Sequence, residues 1–147
     1  VKTCVDCAAL PADERPAKPR PTDGAPRKPR CATHKRAARK LARAARHDTY
    51  VVSTYGVSPG FYAAMYAAQG GRCYICRRAT GETRRLAVDH DHRLTGAESV
   101  RGLLCSTCNH VVIGRYGVDA LRRAIAYLQD PPAQRVLIGM DDERTGS

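Results

Sequence analysis

Six of the seven cysteines fall into three pairs with two residues between partners: Cys4 and Cys7, Cys73 and Cys76, Cys105 and Cys108. The seventh, Cys31, opens the string C-A-T-H, which sets His34 at the same spacing. An odd number of cysteines cannot all pair as disulfides within one chain. Two intervening residues let the backbone turn as a tight knuckle, so both side chains reach one ion while backbone amides soften the thiolate charge. Zinc takes four such ligands in a tetrahedron. The chain supplies two sets, Cys4, Cys7, Cys31 and His34, then Cys73, Cys76, Cys105 and Cys108, with no cysteine left over. Four protein ligands leave no place for water or substrate, so both sets read as structural zinc sites. For the first set the alternative is a redox C-x-x-C beside an incidental Cys and His.

Composition says why such staples are needed. Of 147 residues, 43% are hydrophobic, but 22 of those are Ala and 7 are Cys. Leu, Ile, Val and Phe number only 25, below the roughly one fifth that separates ordinary globular chains from highly charged disordered ones. Small domains with so little to bury commonly lean on metals. The formal charge is +11, from 25 basic and 14 acidic residues. That surplus suits a polyanion, because each phosphate neutralised releases counterions; the other reading is a merely soluble basic protein. No apolar run resembles a signal peptide or could span a bilayer, so no membrane partner is expected. The expected location is the cytoplasm, where thiols stay reduced.

Three segments follow from this reading: an N-terminal zinc module over 1–47, a second domain over 48–140, and a polar tail over 141–147. Residues 11–30 hold six of nine prolines and predict an extended loop that joins the halves of the first zinc site. Residues 32–47 are rich in Ala, Leu, Arg and Lys and predict a helix. Lys35, Arg39, Arg43 and Arg46 share one face of it, Ala38, Leu41 and Ala45 the other. The basic face suits a DNA backbone; the alternative is a solvated linker helix. Ser58-Pro59 followed by Phe61, Met65 and Ala68 at helical spacing, with Gly70-Gly71 beyond, predicts a helix over 59–69 packed on the core. Its Phe61, Tyr62 and Tyr66 read as core residues rather than base-stacking ones.

Strands are expected over 85–90 (RLAVDH) and 100–104 (VRGLL), with a loop at Thr95-Gly96. Helical spacing resumes at Asn109, Val112, Ile113 and Tyr116, breaks at Gly117, and returns over 119–129 with Leu121, Ile125 and Leu128 on the buried side. Pro131-Pro132 ends that helix. The order is knuckle, hairpin, knuckle, helix: a small α+β, zinc-stabilised unit. A lone hairpin is marginal in water, so the metal explains how so little chain stays rigid.

Asp89-His90-Asp91-His92 gathers two carboxylates and two of the chain's five histidines into four residues. Cleaving a phosphodiester needs an activated water and relief of growing negative charge. A neutral imidazole can take the water's proton near neutral pH. Carboxylate and amide oxygens, from Asp89 and from Asn109 just after the last cysteine, can hold a hard divalent cation. His92 would orient the phosphate or hold the loop by hydrogen bonds, and His110 reads as a surface or cap residue. The alternatives for the whole string are a structural oxygen-and-nitrogen metal site and a hydrogen-bonded turn.

Cys73–Cys76, then VDHDHRLTG over 88–96, then VRGLLCSTCN over 100–109 and Ile113-Gly114, resemble the recombination endonuclease VII family of phage junction resolvases over roughly 58–130. The resemblance implies a ββα-metal (His-Me finger, HNH) core with flanking helices, beside the N-terminal Cys3His module. It implies a metal-dependent endonuclease acting on branched DNA such as Holliday junctions, leaving a 5′-phosphate and a 3′-hydroxyl. By position, Asp89 and Asn109 would ligate magnesium or manganese, His90 would be general base, His92 would assist at the scissile phosphate, and Arg101 would contact backbone phosphate. A well-known member carries Glu where this chain has Val112, so a helper carboxylate is absent or comes from Asp91. That member also dimerises through a long helical C-terminal region, and this chain has about twenty residues after Gln129, so a homodimer is an open expectation. An HNH nicking or homing enzyme on ordinary duplex, or a non-enzymatic zinc module that binds nucleic acid, are the other readings.

Overall fold

The computed structural model describes residues 3–18 and 20–145, of which 139–145 by backbone alone. The chain forms two compact units, Val1–Tyr62 and Ala63–Ser147.

In the first unit, α1 (Val5–Ala8) and α2 (Ala32–Tyr55) are both entered through a zinc-type ligand, Cys4 and Cys31, standing in extended conformation before the first turn. The proline-rich stretch between them makes no helix or strand among its described residues. It is closed where Thr22 bridges Cys31 and where the Val5 amide donates to the Pro29 carbonyl at 3.0 Å. Asp23 accepts from the Arg30 amide at 3.1 Å and pairs with Lys35 at 3.1 Å, while Arg30 pairs with Asp6 at 2.6 Å. The amides of Arg30 and Ala25 and the Lys35 ammonium hold the Asp23 carboxyl down at about 2.

Helix α2 runs eight residues beyond the expected end at 47, because nothing breaks it before Gly56. Gly56 stops it at φ 64°, a left-handed turn that glycine adopts without steric cost, and donates back to the Val52 carbonyl at 2.9 Å. Val51 is its one buried residue, and Val57, just beyond the Gly56 cap, is buried too.

Helix α3 spans Phe61–Ala68 rather than 59–69. Residues 59–60 form a turn whose Gly60 amide donates to both Asp48 carboxylate oxygens, at 3.0 and 3.1 Å. Phe61 and Met65 are half-buried and Ala68 is exposed, so α3 covers less core than its spacing suggests.

The sheet of the second unit has two antiparallel strands, β1 (Ala87–His90) and β2 (Val100–Leu104). β1 is two residues shorter than expected and β2 has the expected bounds. Leu86, Leu103, Leu104, Cys73 and Cys108 form what core there is. Residues 96–99 make one 3-10 turn before β2, and 108–113 wind as a wide π-helical turn after it, closed by the Gly114 amide on the Asn109 carbonyl at 3.0 Å.

Helix α4 (Val118–Gln129) follows, then α5 (Pro132–Thr145). Two expectations are overturned here. Ile125 and Leu128 are 56% and 76% exposed and Leu121 is only half-buried, so α4 does not bury its apolar stripe. Pro131-Pro132 does end α4, but Pro132 then starts α5, since proline suits a first helical turn. Helical backbone therefore reaches 145, through most of the expected tail; 146–147 lie outside the described residues.

Candidate active site and metal centres

Both cysteine sets converge. The ligand atoms of Cys4, Cys7, Cys31 and His34, and those of Cys73, Cys76, Cys105 and Cys108, lie within 4.8 Å of one another in each set. His34 Nδ1 stands 3.3 Å from the Sγ atoms of Cys4 and Cys7 and 3.5 Å from that of Cys31, and the Cys7 and Cys31 sulfurs are 3.8 Å apart. Cys76 and Cys105 are separated by 3.9 Å. A tetrahedral zinc with bonds of roughly 2.3 Å to sulfur and 2.0 Å to nitrogen sets edges of about 3.8 Å between sulfurs and 3.5 Å between sulfur and nitrogen. Both donor sets fit zinc.

The thiols show the same demand for a cation. Burial pushes Cys7 up to about 11, and the thiols of Cys4 and Cys31 add to it. Burial with its three neighbouring thiols pushes Cys108 up to about 12. Cys4 feels burial as well, but hydrogen bonds from the backbone of Cys31 and Cys7 and from His34 prevail and bring it down to about 6. Cys76, held by the backbone of Ala79 and Arg78, also falls to about 6. Crowded thiols cannot all ionise together unless a positive ion sits among them.

The knuckles are wired to the hairpin. The Tyr74 amide donates to the Leu103 carbonyl at 3.2 Å, and the Asn109 amide to that of Cys105 at 2.9 Å. Arg77, next to Cys76, takes a left-handed φ of 57°, and its guanidinium donates to the Gln69 carbonyl at 3.0 Å.

At the loop end of the hairpin, where β1 gives way to residue 91 and beyond, lies a cleft of about 520 Å³. Asp89, His90, His92 and Asn109 all line it, as do Asp91, Arg93, Arg101 and His110. Asp89 is buried, and the rings of His90 and His92 stand 4.4 Å apart, tilted by 54°. His110, expected at the surface, is indeed exposed but also faces this cleft.

Arg101 and Asp91 are already engaged within the protein. The register slips between Asp89, opposite Gly102, and His90, opposite Val100, so Arg101 sits in a β-bulge. Bulges re-aim side chains. Here the Arg101 guanidinium comes back across the ladder and grips Asp89, Nε to Oδ2 at 2.8 Å and Nη2 to Oδ1 at 2.9 Å, with Nη2 also 3.1 Å from the His90 carbonyl. Asp91 accepts from the Arg93 guanidinium at 3.0 and 2.7 Å and from the Arg93 amide at 3.0 Å. The guanidinium, then the amide, hold its carboxyl far below the usual range. Asp91 therefore ties down the loop with Arg93. Of the basic residues on α2, Lys35 is tied to Asp23, whereas Arg39, Arg43 and Arg46 are exposed, with no ion pair among the described residues.

Gln69 escaped the sequence reading. It is buried after the last turn of α3; its Oε1 accepts from the Leu103 amide at 2.8 Å, and its Nε2 donates to the carbonyls of Leu103 at 2.9 Å and Arg72 at 3.1 Å. The side chain thus pairs with β2 as a neighbouring strand would. Gly102 makes room for it: at φ 156°, a Cβ there would come within 2.9 Å of Gln69 Oε1. A glutamine before Gly70-Gly71 gives no hint of a partner 34 residues away.

Fold and site together define a small α+β protein with two zinc-capable clusters, one of them bracing a hairpin that ends in a cleft of histidines, carboxylates and an amide. The recombination endonuclease VII family matches residues 48–130, more than half of the chain. The chain belongs to that family, which makes it a nuclease acting on DNA recombination intermediates. It is 44% identical over 138 residues to the Gene 59 proteins of Mycobacterium phages D29 and L5, covering 92% of this chain and 78% and 79% of theirs. No solved structure matches it significantly.

Proposed function

We propose that the chain is an HNH endonuclease that hydrolyses phosphodiester bonds in branched DNA, Holliday junctions included, with a divalent cation at Asp89 and Asn109 and His90 as general base. The observation that carries this reading is the meeting of Asp89, His90, His92 and Asn109 in one cleft beside a four-cysteine cluster. Hairpin and π-helical turn then form the ββα-metal core.

A carboxylate and an amide oxygen are a hard donor set and fit magnesium or manganese. When bound, the ion would neutralise charge growing on the phosphate and leaving oxygen. His90 takes the proton of the attacking water. His92, ring against ring with His90, orients the phosphate or steadies the catalytic imidazole. Arg93 and Arg101 offset the two carboxylates they pair with, Asp91 and Asp89, so that a phosphate does not meet a net negative cleft. On α2, Arg39, Arg43 and Arg46 contact DNA backbone, with Lys35 reaching it only at the cost of its bond to Asp23. The exposed apolar residues of α4 and α5, Ile125, Leu128, Val136 and Leu137, suit a homodimer with one cleft per strand. Eight ligands for two structural zinc ions suit the reducing cytoplasm of a phage host. Among the described residues no helix is long and apolar enough to cross a membrane.

The test is cleavage of a labelled four-way junction and of a matched linear duplex in magnesium or manganese, beside His90→Ala. Junction cutting that vanishes in the variant supports the reading. Equal cutting of both substrates favours a nicking or homing enzyme, and tight binding without cutting favours a zinc-dependent binding module.

A further inference from the structure

A second cleft, of about 450 Å³, adjoins the first. Asp89, Arg101 and Ile113 line both, so the Asp89–Arg101 pair is a partition with a polar cleft on one side and this one on the other. Its remaining walls are largely apolar, including Tyr74 from the first knuckle, and Tyr116 and Leu121 from the segment after the second. Tyr74 is 68% exposed and Tyr116 53% exposed. A chain with one Phe, seven Tyr and no Trp has few large rings to bury, yet two of them stand at the rim of a slot instead of in a core. We propose that this slot takes one unstacked nucleobase of the DNA strand whose phosphate lies in the first cleft. The proposal rests on the reading of that first cleft as the phosphodiester site.

The chemistry of the walls fits a base better than the alternatives. Flat aromatic faces stack on any base, because every base has a π-face, so such a slot is indifferent to sequence. Its size is in the range of small-molecule pockets. Continuity through Asp89 and Arg101 keeps the base beside its own phosphate. A base inside a matched duplex is paired and stacked and must first be pulled out, at a cost that is least when it is already unpaired. The slot therefore turns a local feature of DNA, an unstacked nucleotide at a branch, into affinity next to the scissile bond. It is a means of selecting structure without reading sequence.

The test uses the full zinc-loaded chain and a four-way junction carrying 2-aminopurine at the branch, with His90→Ala present to prevent cutting. Binding is expected to change the probe's fluorescence. Tyr74→Ala with Tyr116→Ala abolishes the change, and in the cutting-competent background lowers the ratio of junction to duplex cleavage about tenfold, the effect of losing one stacked base. Tyr74→Phe with Tyr116→Phe preserves both, since the ring remains. Leucine at both positions keeps apolar bulk without a flat face, so it acts like alanine even where the alanine pair folds poorly. Junction cutting and probe fluorescence that ignore all these substitutions overturn the inference and leave the endonuclease reading intact. A wild-type chain that cuts neither substrate defeats that reading instead. Loss of a dimer in sedimentation, with the fluorescence change retained, makes a second copy the occupant and also overturns the inference.

Discussion

Asp89 keeps only a tenth of its side chain in contact with water, while its partner Arg101 is nearly half exposed. A carboxylate so far withdrawn stays in place because the guanidinium fork meets both its oxygens. The bulge makes this geometry possible, since in a regular ladder Arg101 would face a partner of its own. Removing the arginine leaves the acid without that partner. Arg101→Ala is expected to lower stability by about 1–3 kcal/mol in magnesium-free buffer, the cost of orphaning a largely buried polar group. If Asp89 is a metal ligand, magnesium gives it a replacement cation, so the gap between variant and wild type narrows when the ion is added. Urea unfolding with zinc held constant, with and without magnesium, measures both. A gap of the same size in either buffer denies Asp89 the ligand role, and Asp89→Asn serves as the control that should lose the magnesium response altogether.

At the level of elements, strands of four and five residues cannot hold a hairpin in water alone. The knuckles clamp its base, and Gln69 completes the hydrogen bonding of the outer edge of β2 at Leu103, a residue with no solvent contact. Gln69→Ala would leave the buried Leu103 amide unpaired, while the Leu103 carbonyl keeps the Tyr74 amide as its partner. A loss of about 1–3 kcal/mol is expected, together with faster hydrogen exchange at the Leu103 amide. Gln69→Glu keeps the acceptor for the Leu103 amide but turns a buried carboxylate on the Leu103 and Arg72 carbonyls, so at neutral pH it should cost at least as much stability as alanine. An unchanged exchange rate in the alanine variant would remove Gln69 from the hairpin's support.

The cysteine sets were legible because ligand spacing is a local property, and β2 because its apolar run ends in the Cys105 knuckle. The cleft residues were legible as a string, Asp89 to His92, with Asn109 marked by its place after Cys108. Gln69, Gly102 and the Arg101 bulge were not, because each acquires its role from a partner distant in sequence. The burial of α4 was misjudged for a related reason: periodicity shows that Leu121, Ile125 and Leu128 share a face but not whether anything packs on it. Helix α5 hid behind a proline pair that ends one helix and begins the next.

For the whole molecule, each unit carries one zinc-capable ligand cluster and few large buried apolar residues among those described. Cys4, Cys7 and Cys31 are themselves the buried cluster of the first unit. Metal binding and folding are then one free energy. Two zinc ions per chain are expected by elemental analysis. Chelation should remove both and unfold the hairpin unit, read as loss of a cooperative transition in circular dichroism. A melt that chelation leaves unchanged would assign stability elsewhere.

Charge works at the same scale. At 100° per residue, Lys35, Arg36, Arg39, Lys40, Arg43 and Arg46 fall within an arc of about 140° on α2, and the middle of that helix is exposed all round. A solvated linker has no need to gather six cations on one side, whereas a phosphate backbone rewards it through counterion release. Lys35 is held by Asp23 and contributes least. Replacing Arg39, Arg43 and Arg46 with alanine should weaken DNA binding alike on junction and duplex. The slope of log K against log salt should fall by about 2.7, three contacts at roughly 0.9 each. Turnover at saturating DNA should persist, because none of the three lines the catalytic cleft. A slope that does not move would return α2 to the role of a linker, and a slope that falls for the junction alone would make it part of the structure-reading surface rather than a general hold on backbone.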